Sequence, residues 1–138
     1  MAWRDDARAE VDDLKPHFVE KHDWAPRLVE SDDAEALDLF VTLQSRKHPD
    51  NVFVLRLRYK PDWQTAGRRE AFVDPDDPER EGIEYWPTDV SGLKPQNNPP
   101  CICLRGTWGY HSVLHTDHLM GDTTLLNLLV ELQTVLDR

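Results

Sequence analysis

Cysteine is scarce: in 138 residues only Cys101 and Cys103 carry a thiol. Standing two positions apart, they are poor disulfide partners, because the bridge demands a geometry that such near neighbours rarely reach. This excludes a disulfide-stapled secreted scaffold and fits free thiols in a reducing compartment, so a cytoplasmic location is expected. Long apolar runs are missing too, and none approaches the roughly 20 consecutive residues needed to span a bilayer. A membrane partner is therefore not expected. The N-terminal Met1-Ala2-Trp3-Arg4-Asp5-Asp6 lacks the apolar stretch of an export signal. No cluster of Lys and Arg offsets the net charge of −10, which would repel a phosphate backbone, and nucleic acid is not an expected partner. Internal repeats and low-complexity tracts are absent as well.

What is present fits one soluble globular domain over residues 1–138, with 39% apolar and 30% charged residues. Trp3, Ala7, Val11 and Leu14 recur at helical spacing before Pro16, which predicts a short N-terminal helix over residues 2–14 that the proline ends or kinks. Residues 36–43 and 52–59 favour strand. In the second, Phe53, Leu55, Leu57 and Tyr59 alternate with Val52, Val54, Arg56 and Arg58. His48-Pro49-Asp50-Asn51 has turn chemistry and predicts a hairpin between them. Residues 68–73 read as a third strand. Residues 74–100 hold six of the ten prolines and read as a long irregular crossing, with the acidic run at 74–81 as a solvated loop. A final amphipathic helix carries Leu125, Leu126, Leu128, Leu129, Leu132, Val135 and Leu136 on a broad face, with Asp122 or Thr123 as the expected N-cap. This order implies an α+β fold with helices packed on an antiparallel sheet.

Chemistry concentrates in one stretch. Cys101, Cys103, His111, His115 and His118 fall within eighteen residues, beside Trp108, Tyr110 and Asp117. Thiolate and imidazole are the pair that nucleophilic catalysis near neutral pH requires. The same residues allow a metal reading, with zinc held by Cys101, Cys103 and two of His111, His115 and His118. A structural reading is also open, in which Cys103 is a small buried hydrophobe beside Ile102 and Leu104. Gly109 and Gly121 flank the histidines and suggest a loop. His17, His22 and His48 read as surface or turn residues, the five tryptophans as core or loop anchors, and Glu81, Glu84 and Asp89 as solvated.

Pro99-Pro100-Cys101-Ile102-Cys103-Leu104, a polar and aromatic loop, and the leucine-rich helix that follows resemble the catalytic segment of ubiquitin-conjugating enzymes, in which an Ile-Cys-Leu tripeptide carries the nucleophile. The order of elements is similar over roughly residues 35 to 137, while residue-level likeness is confined to Ile102-Cys103-Leu104 and the helix. The family's His-Pro-Asn tripeptide is missing; Tyr85-Trp86-Pro87 keeps only a proline there. Extra histidines after the cysteine and a chain that ends with the helix look more like divergent bacterial relatives. The resemblance implies a fold similar to that of conjugating enzymes and a thioester formed on Cys103. The acyl group would come from a ubiquitin-like protein through an activating enzyme and pass to an amine. His111 or His115 would assist, and Tyr85, Asn97 or Asn98 would donate to the oxyanion. It implies no cofactor. The rival expectations are a non-catalytic binding module on the same scaffold and a small zinc protein.

Overall fold

The computed structural model describes residues 2–30, 35–114 and 123–138. Helix α1 (Ala2–Asp12) buries Trp3 and Ala7. Pro16 does more than end it. The proline opens a second helix, α2 (Pro16–His22), where its fixed φ and missing N–H suit the first helical position. Five strands follow: β1 (Arg27–Glu30), β2 (Leu37–Ser45), β3 (His48–Tyr59), β4 (Arg69–Asp74) and β5 (Asp77–Glu81). They form one antiparallel sheet in sequence order, a meander without crossovers. A short helix, α3 (Trp63–Ala66), joins β3 to β4.

The alternation expected in β3 is realised: Phe53, Leu55, Leu57 and Tyr59 are buried, while Val54, Arg56 and Arg58 on the opposite face are only partly so. Two expectations about the sheet are corrected. The β2–β3 turn falls at Arg46-Lys47, and His48 to Asn51 already belong to β3, because Ser45 pairs with His48 across a register shift. Residues 74–81 are not the start of an irregular crossing. Asp74 pairs with Asp77 around a tight turn in which Asp74 Oδ1 accepts the Asp76 N–H, and β5 extends the sheet as an edge strand with charged, exposed side chains. Beyond it lie a 3₁₀ turn (Ile83–Tyr85) and a small two-stranded ladder of β6 (Leu93–Lys94) and β7 (Cys101–Ile102).

The C-terminal helix, α4 (Leu125–Leu136), is capped by Thr124, whose hydroxyl accepts the Asn127 N–H. Thr123 is not the cap, and Asp122 lies outside the described residues. Leu125, Leu128, Leu129, Leu132, Val135 and Leu136 join one core with Trp3, Ala7, Trp24, Leu39, Val41, Leu55, Leu57 and Phe72. Helices α1 and α4 thus cover the same sheet face. Within α4, Gln133 is buried and satisfied: Trp24 Nε1 donates to its Oε1 at 3.0 Å and its Nε2 donates to the Gln44 carbonyl at 2.8 Å. The chain is an α+β protein with a five-stranded antiparallel sheet and a packed C-terminal helix. Among the described residues, no helix is long and apolar enough to cross a membrane.

Candidate functional site

The cysteine segment is placed by the start of β4. Gly67 has φ +93°, and a Cβ there would stand 2.5 Å from the Thr107 carbonyl carbon and oxygen, so only glycine permits this approach. Beyond it, Arg68 N–H donates to the Gly106 carbonyl at 3.1 Å and Trp108 N–H donates to the Arg68 carbonyl at 2.6 Å. The Arg68 side chain is fully buried. Its guanidinium pairs with the Glu10 carboxylate from α1 and donates to the carbonyls of Gly106 and Thr123. Glu10 also accepts from Tyr59 Oη at 2.6 Å and from the Leu125 N–H at 3.0 Å. One buried ion pair therefore ties α1, β3, the loop after Cys103 and the first turn of α4 together.

Within that frame the two thiols differ. Cys101 is fully buried in β7, and its Sγ donates to the Pro99 carbonyl at 3.0 Å. Burial pushes its pKa up, and the nearby Glu70 carboxylate adds to the rise. Cys103 is half-buried, one residue past β7, with its N–H bonded to the Gly92 carbonyl at 2.6 Å. The following loop is closed by Thr107, whose buried hydroxyl lies 2.8 Å from the Ile102 carbonyl and 3.1 Å from that of Leu104.

The histidine stretch begins as a π-helical turn (Gly109–Leu114), not as the loop that its flanking glycines suggest. His111 is buried, and its Nε2 accepts the Gly106 N–H at 2.9 Å, so in this geometry Nε2 carries a lone pair and the ring is not doubly protonated. To take a proton at Nε2, His111 would have to release Gly106. His115 and His118 lie outside the described residues. Cys101, Cys103 and His111 do not converge as ligands, and among the described residues no group of three or more His, Cys, Asp and Glu could hold a metal. Tyr85 turns its hydroxyl to Asp74 Oδ2 at 3.4 Å. Asn97 bonds through its side chain to Cys101, and Asn98 is exposed. Trp86 packs edge-on against Phe72 with ring centroids 4.9 Å apart, and Trp108 lies under the Arg69 guanidinium at 5.0 Å.

Glu70 is the site residue that sequence reasoning misses. From β4 its carboxylate accepts the Ile102 N–H at 2.9 Å and the Gly109 N–H at 3.0 Å. Burial lifts its pKa to about 7, although those backbone donors, together with Thr107, pull it the other way. A polar residue on a strand with Phe72 two positions on was the only available signal, because a carboxylate on the core side of a sheet needs an internal partner.

Fold and site together define a small α+β protein with one fully buried and one half-buried cysteine at the end of a short strand. No protein-family model, curated protein or solved structure matches the chain.

Proposed function

We propose that the protein is a cysteine-dependent carrier of a ubiquitin-like protein, similar to conjugating enzymes, with Cys103 as the acceptor of the acyl group. The observation that supports this reading best is the contrast between the cysteines: Cys103 is half-buried just past β7, while Cys101 is fully buried. The order of meander, cysteine strand and C-terminal helix is compatible with it.

In the proposed reaction the Cys103 thiolate attacks the acyl carbon of a ubiquitin-like C-terminus held by an activating enzyme, the leaving thiol departs, and the thioester keeps the acyl group reactive. An incoming amine then attacks, a tetrahedral oxyanion forms, and the amine loses its proton as Cys103 leaves. His111 and His115 are the proposed proton acceptors. The test mixes the chain with ATP, a candidate activating enzyme and a candidate ubiquitin-like protein, followed by non-reducing electrophoresis. The expected product is an adduct on wild type that reductant removes, replaced in Cys103→Ser by none or by a reductant-stable ester. Identical behaviour of the two proteins ends the reading.

The engaged Nε2 of His111 favours one alternative, a non-catalytic binding module that docks conjugation partners. Such a module would keep full partner binding after Cys103→Ala and would form no adduct.

A further inference from the structure

We propose that Glu70 is the positioning residue that fixes the Cys103 segment at both ends and selects Cys103, rather than its neighbour Cys101, as the reacting thiol. The inference rests on the carrier reading for its meaning, because it concerns which thiol that chemistry uses.

The geometry is a three-way convergence on Gly109. A Cβ on that residue would lie 2.4 Å from Glu70 Oε2, 2.9 Å from Cys101 Cβ and 3.1 Å from Cys101 Sγ. Carboxylate and buried thiol are therefore packed against the same backbone point. Oε2 holds Ile102 at 2.9 Å, immediately before Cys103, and Oε1 holds Gly109 at 3.0 Å, where the π-helical turn begins. Everything between these anchors, Cys103 included, is spanned by one side chain. No cation pairs with Glu70 among the described residues. Arg69, its neighbour, is directed to Asp62 at 3.6 Å and to the Trp108 ring.

An ionised Glu70 places negative charge beside Cys101 and opposes a second negative charge on that thiol. Cys101 then stays protonated, as its bond to Pro99 requires. Other groups act on the same thiol: Lys94 on β6 and the Asn97 side chain favour its ionised form, and Cys103 opposes it. Thr107 bonds to Glu70, Glu81 of β5 borders the same cavity of about 220 Å³ beside Phe72 and Trp86, and His111 sits one turn into the helix that Glu70 anchors. Thr107 also bridges the segment, its Oγ1 lying 2.8 Å from the Ile102 carbonyl and accepting the Tyr110 N–H at 3.2 Å, but only Glu70 brings a negative charge to that bridge.

The full chain is alkylated with iodoacetamide between about pH 6 and about pH 9, a range that brackets ordinary thiol titration, and the rates at Cys101 and Cys103 are read separately by peptide mass spectrometry. Burial alone slows Cys101, so the diagnostic quantity is how the ratio of the two rates changes with pH. In wild type the Cys101-to-Cys103 ratio falls as pH rises through about 7, where Glu70 ionises. In Glu70→Gln, which removes the charge and leaves one acceptor for two N–H groups, the ratio rises several-fold and loses its fall near pH 7. Gly109→Ala, which forces Glu70 and Cys101 apart, raises it as well. A ratio that is flat in wild type, or a profile that Glu70→Gln leaves unchanged, overturns the proposal. The wild-type arm needs no variant to fold. Alkylation needs no activating enzyme, so a failed thioester assay beside the expected ratio profile would remove the carrier reading alone.

Discussion

Glu10 and Arg68 meet in the interior although 58 positions separate them. Their pairing is a matter of mutual need: the guanidinium has no exposed surface, and the carboxylate has little. Removing one partner from such a pair leaves an uncompensated charge in the core, which costs about 3–5 kcal/mol. Glu10→Gln is therefore expected to lower unfolding stability by about that amount in urea denaturation, and a change under about 1 kcal/mol would show that solvent reaches Arg68. Tyr59→Phe removes only a hydroxyl that donates to the same carboxylate, for which about 1.5–3 kcal/mol is expected. Neither Glu10 nor Arg68 was recognisable in the sequence, since each looks like one more surface charge in a chain with 30% charged residues. The thiols were recognisable, because two cysteines beside several histidines stand out by rarity alone. Which thiol is shielded was not, because that depends on Glu70 and Gly109 arriving from other parts of the chain.

At the scale of elements, legibility follows the hydrophobic pattern. Strand β3 and helix α4 each bury one face, so period and composition agree, and the sequence predicts both. Strand β5 reads Asp-Pro-Glu-Arg-Glu and buries almost nothing, so no alternation marks it. Strand β1 is four residues long and only partly buried, too little pattern to detect. Pro16 was ambiguous for a different reason, because the same residue that stops one helix is well suited to begin another. For α4 the division of labour can be measured. Thr124→Ala removes a cap bond at an exposed end and is expected to cost about 1 kcal/mol. Leu132→Ala opens a cavity in a fully buried position, where about 2–5 kcal/mol is expected. Thermal unfolding of the two variants should therefore differ clearly, and equal losses would mean that the helix is held by its end and not by its face.

For the molecule as a whole, pH acts through two separable routes. The net charge of −10 makes the chain repel itself, an effect carried by exposed groups and weakened by salt. Glu70 acts from inside. Its carboxyl titrates near 4.5 when unperturbed and at about 7 in the fold, so between these values the folded chain retains a proton that the unfolded chain has released. The stabilisation is complete below the unfolded value, declines as pH rises toward about 7, and stays lost above it. A lift of this size corresponds to at most on the order of 3 kcal/mol. The wild-type chain should thus lose stability between about pH 5 and about pH 8, and added salt should recover the surface contribution while leaving the Glu70 contribution in place. Glu70→Gln cannot titrate, so its pH-dependent loss should be smaller than that of wild type at both low and high salt, whatever constant penalty the substitution adds through its unsatisfied backbone donors. Urea unfolding at the two pH values and two salt concentrations gives the comparison directly. If wild type and variant decline in parallel, Glu70 is already ionised at the lower pH, and the buried carboxyl is not the group through which acidity reaches the cysteine segment.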